Sequence, residues 1–142
     1  MLTFEQWAII ADIYTPLLIL ASASIVWRER QGSGCWLLPS AKHLIPIVLT
    51  LVASFASSLV DLLLGIWPSF DSDYSTHTAV ALVFVVHICL YRPGWRFAAI
   101  LSLAAYLQLM NHQDYHTYLD MITTIAFLLP LFWLIWKSKT SL

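Results

Sequence analysis

His43 to Trp67 reads HLIPIVLTLVASFASSLVDLLLGIW, 25 residues in which Asp61 is the only acid and no Lys or Arg occurs. A helix rises 1.5 Å per residue, so a stretch of this length crosses the ~30 Å of hydrocarbon in a bilayer. It lacks the apolar–polar alternation of a barrel strand, and in lipid a helix satisfies its own backbone hydrogen bonds. Working outward, four further apolar segments can be marked: Trp7 to Trp27, Ser75 to Tyr91, Trp95 to Met110, and about His116 to Trp136. The segments after His43–Trp67 at 75–91 and 95–110 are short, and would span by thinning the bilayer locally or by placing polar residues at their ends. Trp7, Trp27, Trp67, Trp95 and Trp136 fall at segment ends, where indole rings favour the headgroup zone. A composition 60% hydrophobic and 11% charged, with a mean hydropathy of +0.77 over 142 residues, is far from that of soluble proteins. The expectation is one integral membrane domain over residues 1–142, an all-α polytopic bundle of about five transmembrane helices.

The cations orient it. Arg28, Arg30 and Lys42 lie between the first two segments, Arg92 and Arg96 between the third and fourth, and Lys137 and Lys139 after the fifth. Five alternating spans put all of them on one side, which the positive-inside rule makes cytoplasmic, with the amino terminus outside. Glu5 stands where a cleaved signal peptide would carry basic residues, so the first segment is expected to be retained. Cys35 and Cys89 fall on the reducing side and imply no disulfide framework. The stretch RERQGSGCWLLPSAK, with Gly32, Gly34 and Pro39 as breakers, reads as a connector.

The chemistry is confined to two polar islands on the other side, SFDSDYSTHT (Ser69 to Thr78) and NHQDYHTYLD (Asn111 to Asp120). Ser75 or Asp73 suits an N-cap for the third segment, which leaves backbone N–H groups and a positive helix end able to bind an anion, with His77 in the first turn. His112, His116 and Asp120 stand at i, i+4 and i+8; if the helix begins early they share a face, and if it begins near His116 only His116 and Asp120 do. A carboxylate four residues from a histidine can accept its N–H and stabilise the imidazolium. Two helix N-termini, one with His77 and one with His116 and Asp120, can therefore converge on one site. Asp12 and Asp61 are intramembrane acids near the outer ends of their spans, the first either functional or reaching the interface, the second either supporting the islands or bonded to another helix. His87, mid-span, reads as a helix-packing hydrogen-bond group.

The spacing D-x3-S-x-H-T (Asp71, Ser75, His77, Thr78), followed 39 residues after His77 by H-x3-D (His116, Asp120), resembles the type 2 phosphatidic acid phosphatase superfamily, and most nearly its sphingomyelin-synthase-like branch. The resemblance implies a lipid phosphoesterase or phosphotransferase with its site on the outer surface. It implies His116 as nucleophile, Asp120 as its orienting partner and His77 as acid/base, with Asp71, Ser75, Thr76 and His112 against the substrate. No cofactor is then needed, because two histidines on opposite sides of phosphorus supply both nucleophile and proton. Met110 stands where the phosphatases carry an Arg, Thr76 where they carry Gly, and Thr117-Tyr118 inverts the family's order. With no guanidinium outside, a monoanionic diester lipid, or a substrate that brings a metal, is expected over a phosphomonoester dianion.

Two other classes compete. Asp71, Asp73, His77, His112, Asp114, His116 and Asp120 form a donor set suited to a divalent metal such as zinc, as in a metal-dependent membrane hydrolase. The chain could instead be a non-catalytic helical membrane subunit. The expected partners are the bilayer and a membrane lipid, not nucleic acid, and a homo-oligomer is left open. The expected location is a bacterial inner (plasma) membrane with the site facing outside.

Overall fold

The structure, a computed structural model, describes residues 3–35 and 37–140. Five helices follow one another: α1 (Phe4–Ser33), α2 (Leu37–Leu64), α3 (Thr76–Tyr91), α4 (Arg96–His112) and α5 (Tyr118–Thr140), with short 3-10 turns at Pro68–Phe70 and Pro93–Trp95. There is no strand among the described residues. α1, α2 and α5 are each long and apolar enough to cross a membrane, and α3 is a shorter apolar helix of 16 residues. The chain is a helical bundle of membrane-protein type.

α3 is the centre, packed against α1, α2, α4 and α5. It is apolar on every side, the pattern of a helix enclosed by other helices; Ala81, Val83 and His87 are wholly buried. The outer helices do the reverse and turn Leu37, Leu62 and Phe97 outward, each about four-fifths exposed. An exterior this apolar is suited to lipid, since water-soluble monomers rarely expose large contiguous apolar patches.

Local chemistry sets the helix ends. Thr3 and Gln6 form a reciprocal capping box that starts α1, and Gly34 in the left-handed region (φ 64°) ends it. α2 stops at Leu64 because Gly65 turns left-handed (φ 62°), and the carboxylate of Asp61 then accepts the Trp67 N–H at 2.7 Å. α3 starts at the Ser75 cap, whose Oγ accepts the Thr78 N–H at 3.3 Å. Arg92 and Pro93 end it.

Several boundaries differ from the sequence expectation. The stretch 28–42 is not a connector: α1 runs on to Ser33 and α2 begins at Leu37, with Pro39 in its first turn, where a missing N–H costs nothing. The two helices are then tied by a Lys42–Glu29 ion pair at 2.8 Å. Trp67 and Trp136, expected at the headgroups, are each only 3% exposed. Trp67 donates to Thr123 Oγ1 and sits edge-on to Tyr74 and Phe127, so its indole faces into the bundle. Asp61 accepts from the Trp67 N–H, six residues on, just past the end of its own helix. Lys42 lies over the Tyr91 ring and Lys137 over Trp133, at the end of the bundle where Glu29 also lies. The side chain of Lys139 lies outside the described residues.

Candidate functional site

The two islands meet at the opposite end, and Asp120 is the joint. Its Oδ1 accepts from Ser72 Oγ at 2.8 Å and from the Asp73 N–H at 2.9 Å, both in the first island. Its Oδ2 accepts the Thr117 N–H at 2.7 Å, while the Asp120 N–H returns to Thr117 Oγ1 at 3.2 Å. The latter pair is a capping box that starts α5. A second cross-link runs from the Ser75 N–H to Thr124 Oγ1 at 3.1 Å. Residues 47 to 49 positions apart in sequence are thus fixed as one surface by a few polar bonds.

His116 sits just before α5, with Nδ1 3.7 Å from Asp120 Oδ2. That is ion-pair range and beyond a hydrogen bond. The ring of His77, in the first turn of α3, lies 6.2 Å from that of His116, centroid to centroid. Burial pushes the His116 imidazole below its ordinary value, against Asp120, which raises it, with His77 lowering and Asp73 raising it further. The net effect favours a neutral ring with a free lone pair.

A hollow of about 370 Å³ lies beside His77, walled by Asp12 and Thr15 of α1, Phe55 of α2, Thr76 of α3 and Tyr106 of α4. Asp12, which the sequence left between a functional and an interfacial role, faces the same space as His77; Thr15 and Tyr106 were not anticipated. Two other hollows, of about 440 and 570 Å³, flank Lys42 at the far end and include none of these residues.

Other expected residues are placed differently. His112 ends α4 as an exposed residue and is not on a common helical face with His116, because residues 113–117 break the helix. Ser75 is wholly buried, its hydroxyl donating to Thr78 Oγ1 at 2.8 Å, so it shapes the start of α3 and is closed to a substrate. Asp71 is an exposed turn residue in the left-handed region (φ 54°), and Asp114 another (φ 56°). Thr76 remains, half-buried at the hollow. The seven-residue donor set does not close up: among the described residues no three His, Cys, Asp or Glu side chains are gathered as a metal group. Asp120 is already engaged by three donors. Comparison with protein-family models, with curated proteins and with solved structures found no match for the chain.

Proposed function

We propose that the chain is a membrane lipid phosphoesterase or phosphotransferase that works at the outer face through His77, His116 and Asp120. One observation carries the reading: the ring of His77, in the first turn of α3, and that of His116, just before α5, lie 6.2 Å apart between centroids, the second beside a carboxylate held by hydrogen bonds. Both rings can therefore reach one phosphoryl group, and in-line attack with phosphorus between them requires the exposed His77 ring to move outward as the substrate binds. His116, neutral, attacks phosphorus; Asp120 stabilises the cation it becomes; His77 protonates the leaving oxygen.

The surroundings narrow the substrate. No Lys or Arg lines the hollow at His77, and Asp12 does. The anion would be met by His77 and by the free first-turn N–H groups of α3, which are worth about 0.3–1 kcal/mol when exposed and up to ~2 when partly buried. That is enough for a monoanionic diester and too little for a dianion. Affinity would come from lipid tails against Phe55, Val80 and Ala11 on the hollow's apolar wall.

The test is phosphorus release or transfer from a panel of phosphodiester lipids in vesicles. His77→Ala and His116→Ala should each lose ~10²–10⁴-fold, and the double variant should be little worse than either, because residues that act as a unit are not additive. Full activity of His116→Ala on every lipid the protein turns over would remove the assignment. Loss of activity on adding a chelator would instead favour a metal-centred hydrolase.

A further inference from the structure

A second ionisable cluster lies at the other end of the bundle. His43 of α2 and His87 of α3 are both wholly buried, with His43 Nδ1 3.0 Å from His87 Nε2. His43 Nε2 lies 2.7 Å from Glu29 Oε2 on α1, and Glu29 Oε1 accepts from Lys42 Nζ at 2.8 Å. The Glu29 side chain is 36% exposed, so one hydrogen-bonded line runs from the surface to the middle of three packed helices. At its inner end His87 Nδ1 has no hydrogen-bond partner. Buried polar atoms are seldom left so, and each exception calls for a reason.

Hydrogen-bond arithmetic supplies one. Each contact in the line holds one proton. If both rings are neutral and Glu29 is ionised, the protons sit on Nε2 of each ring and His87 Nδ1 is a bare acceptor. If one more proton is present, His43 donates from both nitrogens, to Glu29 and to His87 Nε2, and His87 carries its own proton on Nδ1. Both arrangements use the same heavy-atom positions, which makes a change of one proton cheap in geometry. Two added protons would place imidazolium rings 3.0 Å apart with no lone pair between them, and like charges at that distance exclude each other. Desolvation opposes even one buried cation; the carboxylate at 2.7 Å and the Tyr91 ring, 4.1 Å from that of His43, oppose desolvation.

We propose that Glu29, His43 and His87 form a single-proton site that exchanges with water at the cation-rich end of the bundle. A hydronium ion gives its proton to the bare His87 Nδ1 and leaves as water. As that N–H bond forms, the His87 Nε2–H bond breaks toward its own ring and His43 Nδ1 takes the proton, so the charge rests on His43, whose Nε2–H still donates to Glu29 Oε2. The groups that face the pair are few: Glu29 on α1, Lys42 on α2, Tyr91 on α3, and Trp136 on α5, 5.7 Å from His87 ring to ring. Lys137 of α5 lies further out, on the wall of the hollow that Lys42, Tyr91 and Trp136 share.

The experiment is nitrogen-15 NMR of the full chain, labelled in histidine and held in lipid nanodiscs, from about pH 5 to 8, with His43→Gln and His87→Gln used for assignment. The two rings should change together with uptake of one proton, and a coupling between His43 Nδ1 and His87 Nε2 should be seen. Glu29→Gln keeps a hydrogen-bond acceptor at a partly exposed position and removes the charge, so it should fold and bind the proton at least ~10-fold more weakly. Rings that stay neutral throughout, rings that titrate separately with two protons, or a Glu29→Gln chain that binds the proton as well as the parent would each overturn the proposal.

Discussion

Asp120 shows how one residue answers two readings. The sequence offers it as the partner of His116 through H-x3-D, but Thr117-x-x-Asp120 is also a capping box, and the structure gives it that role at hydrogen-bond distance while His116 stays at 3.7 Å. Asp120→Asn would turn an amide N–H toward donors that now find a carboxylate, so it should lower thermal stability in detergent by about 1–3 kcal/mol, and Ser72→Ala, which removes a single donor, by about 1. Equal melting of all three chains would show that the joint is not held this way. A pH prediction separates the catalytic role. Burial puts His116 below its usual 6.5, so if it attacks as the neutral ring, activity should persist below pH 6.5 and fall only as the ring protonates. Asp120 raises the His116 value, so in Asp120→Asn the acid limb of the rate profile should move to lower pH even as the maximum rate falls. A limb that moves to higher pH would contradict that electrostatic coupling.

At the level of helices, the sequence was legible where length and apolar runs decide and less so where tertiary bonds do. All five helices fall where the apolar segments lie, and the Ser75 cap was visible as a serine ahead of an apolar run. A tryptophan at the end of an apolar stretch reads as an interface anchor and puts the end of α2 at Trp67, three residues late; its packing against Tyr74 and Phe127 comes from the tertiary fold. Gly65 carries the actual stop. A Cβ there would meet no atom within 4 Å, so the cost of Gly65→Ala is the left-handed backbone alone (φ 62°), about 1 kcal/mol. Gly65→Asn should cost less, and thermal unfolding of the two variants compares them directly. The Glu29–His43–His87 line was hidden for a different reason. Its members lie on three helices, 14 and 44 residues apart, at a spacing that no periodicity within one helix reports.

For the whole molecule, the arrangement of five antiparallel helices puts the islands at one end and Arg28, Arg30, Lys42, Arg92, Arg96 and Lys137 at the other, and the function proposed depends on which end faces out. The positive-inside rule assigns the cation end to the cytoplasm, and a thiol-labelling experiment in intact cells can test it. Gln113, which sequence reasoning would choose as a reporter in the second island, is only 4% exposed and would label poorly in either orientation. Ser69 and Tyr115 are exposed, one in each island, and Cys35 is an exposed native thiol beyond the end of α1. Ser69→Cys and Tyr115→Cys should each react with a membrane-impermeant maleimide, while Cys35 should react only after the membrane is permeabilised. The within-molecule control matters, because a silent Cys35 together with two reactive island positions cannot arise from leaky cells. The reverse pattern, Cys35 labelled and both islands silent, would place His77 and His116 in the cytoplasm and the Glu29 end outside. The lipid chemistry would then have to be sought in the inner leaflet, and the proton bound by His43 and His87 would come from the external medium.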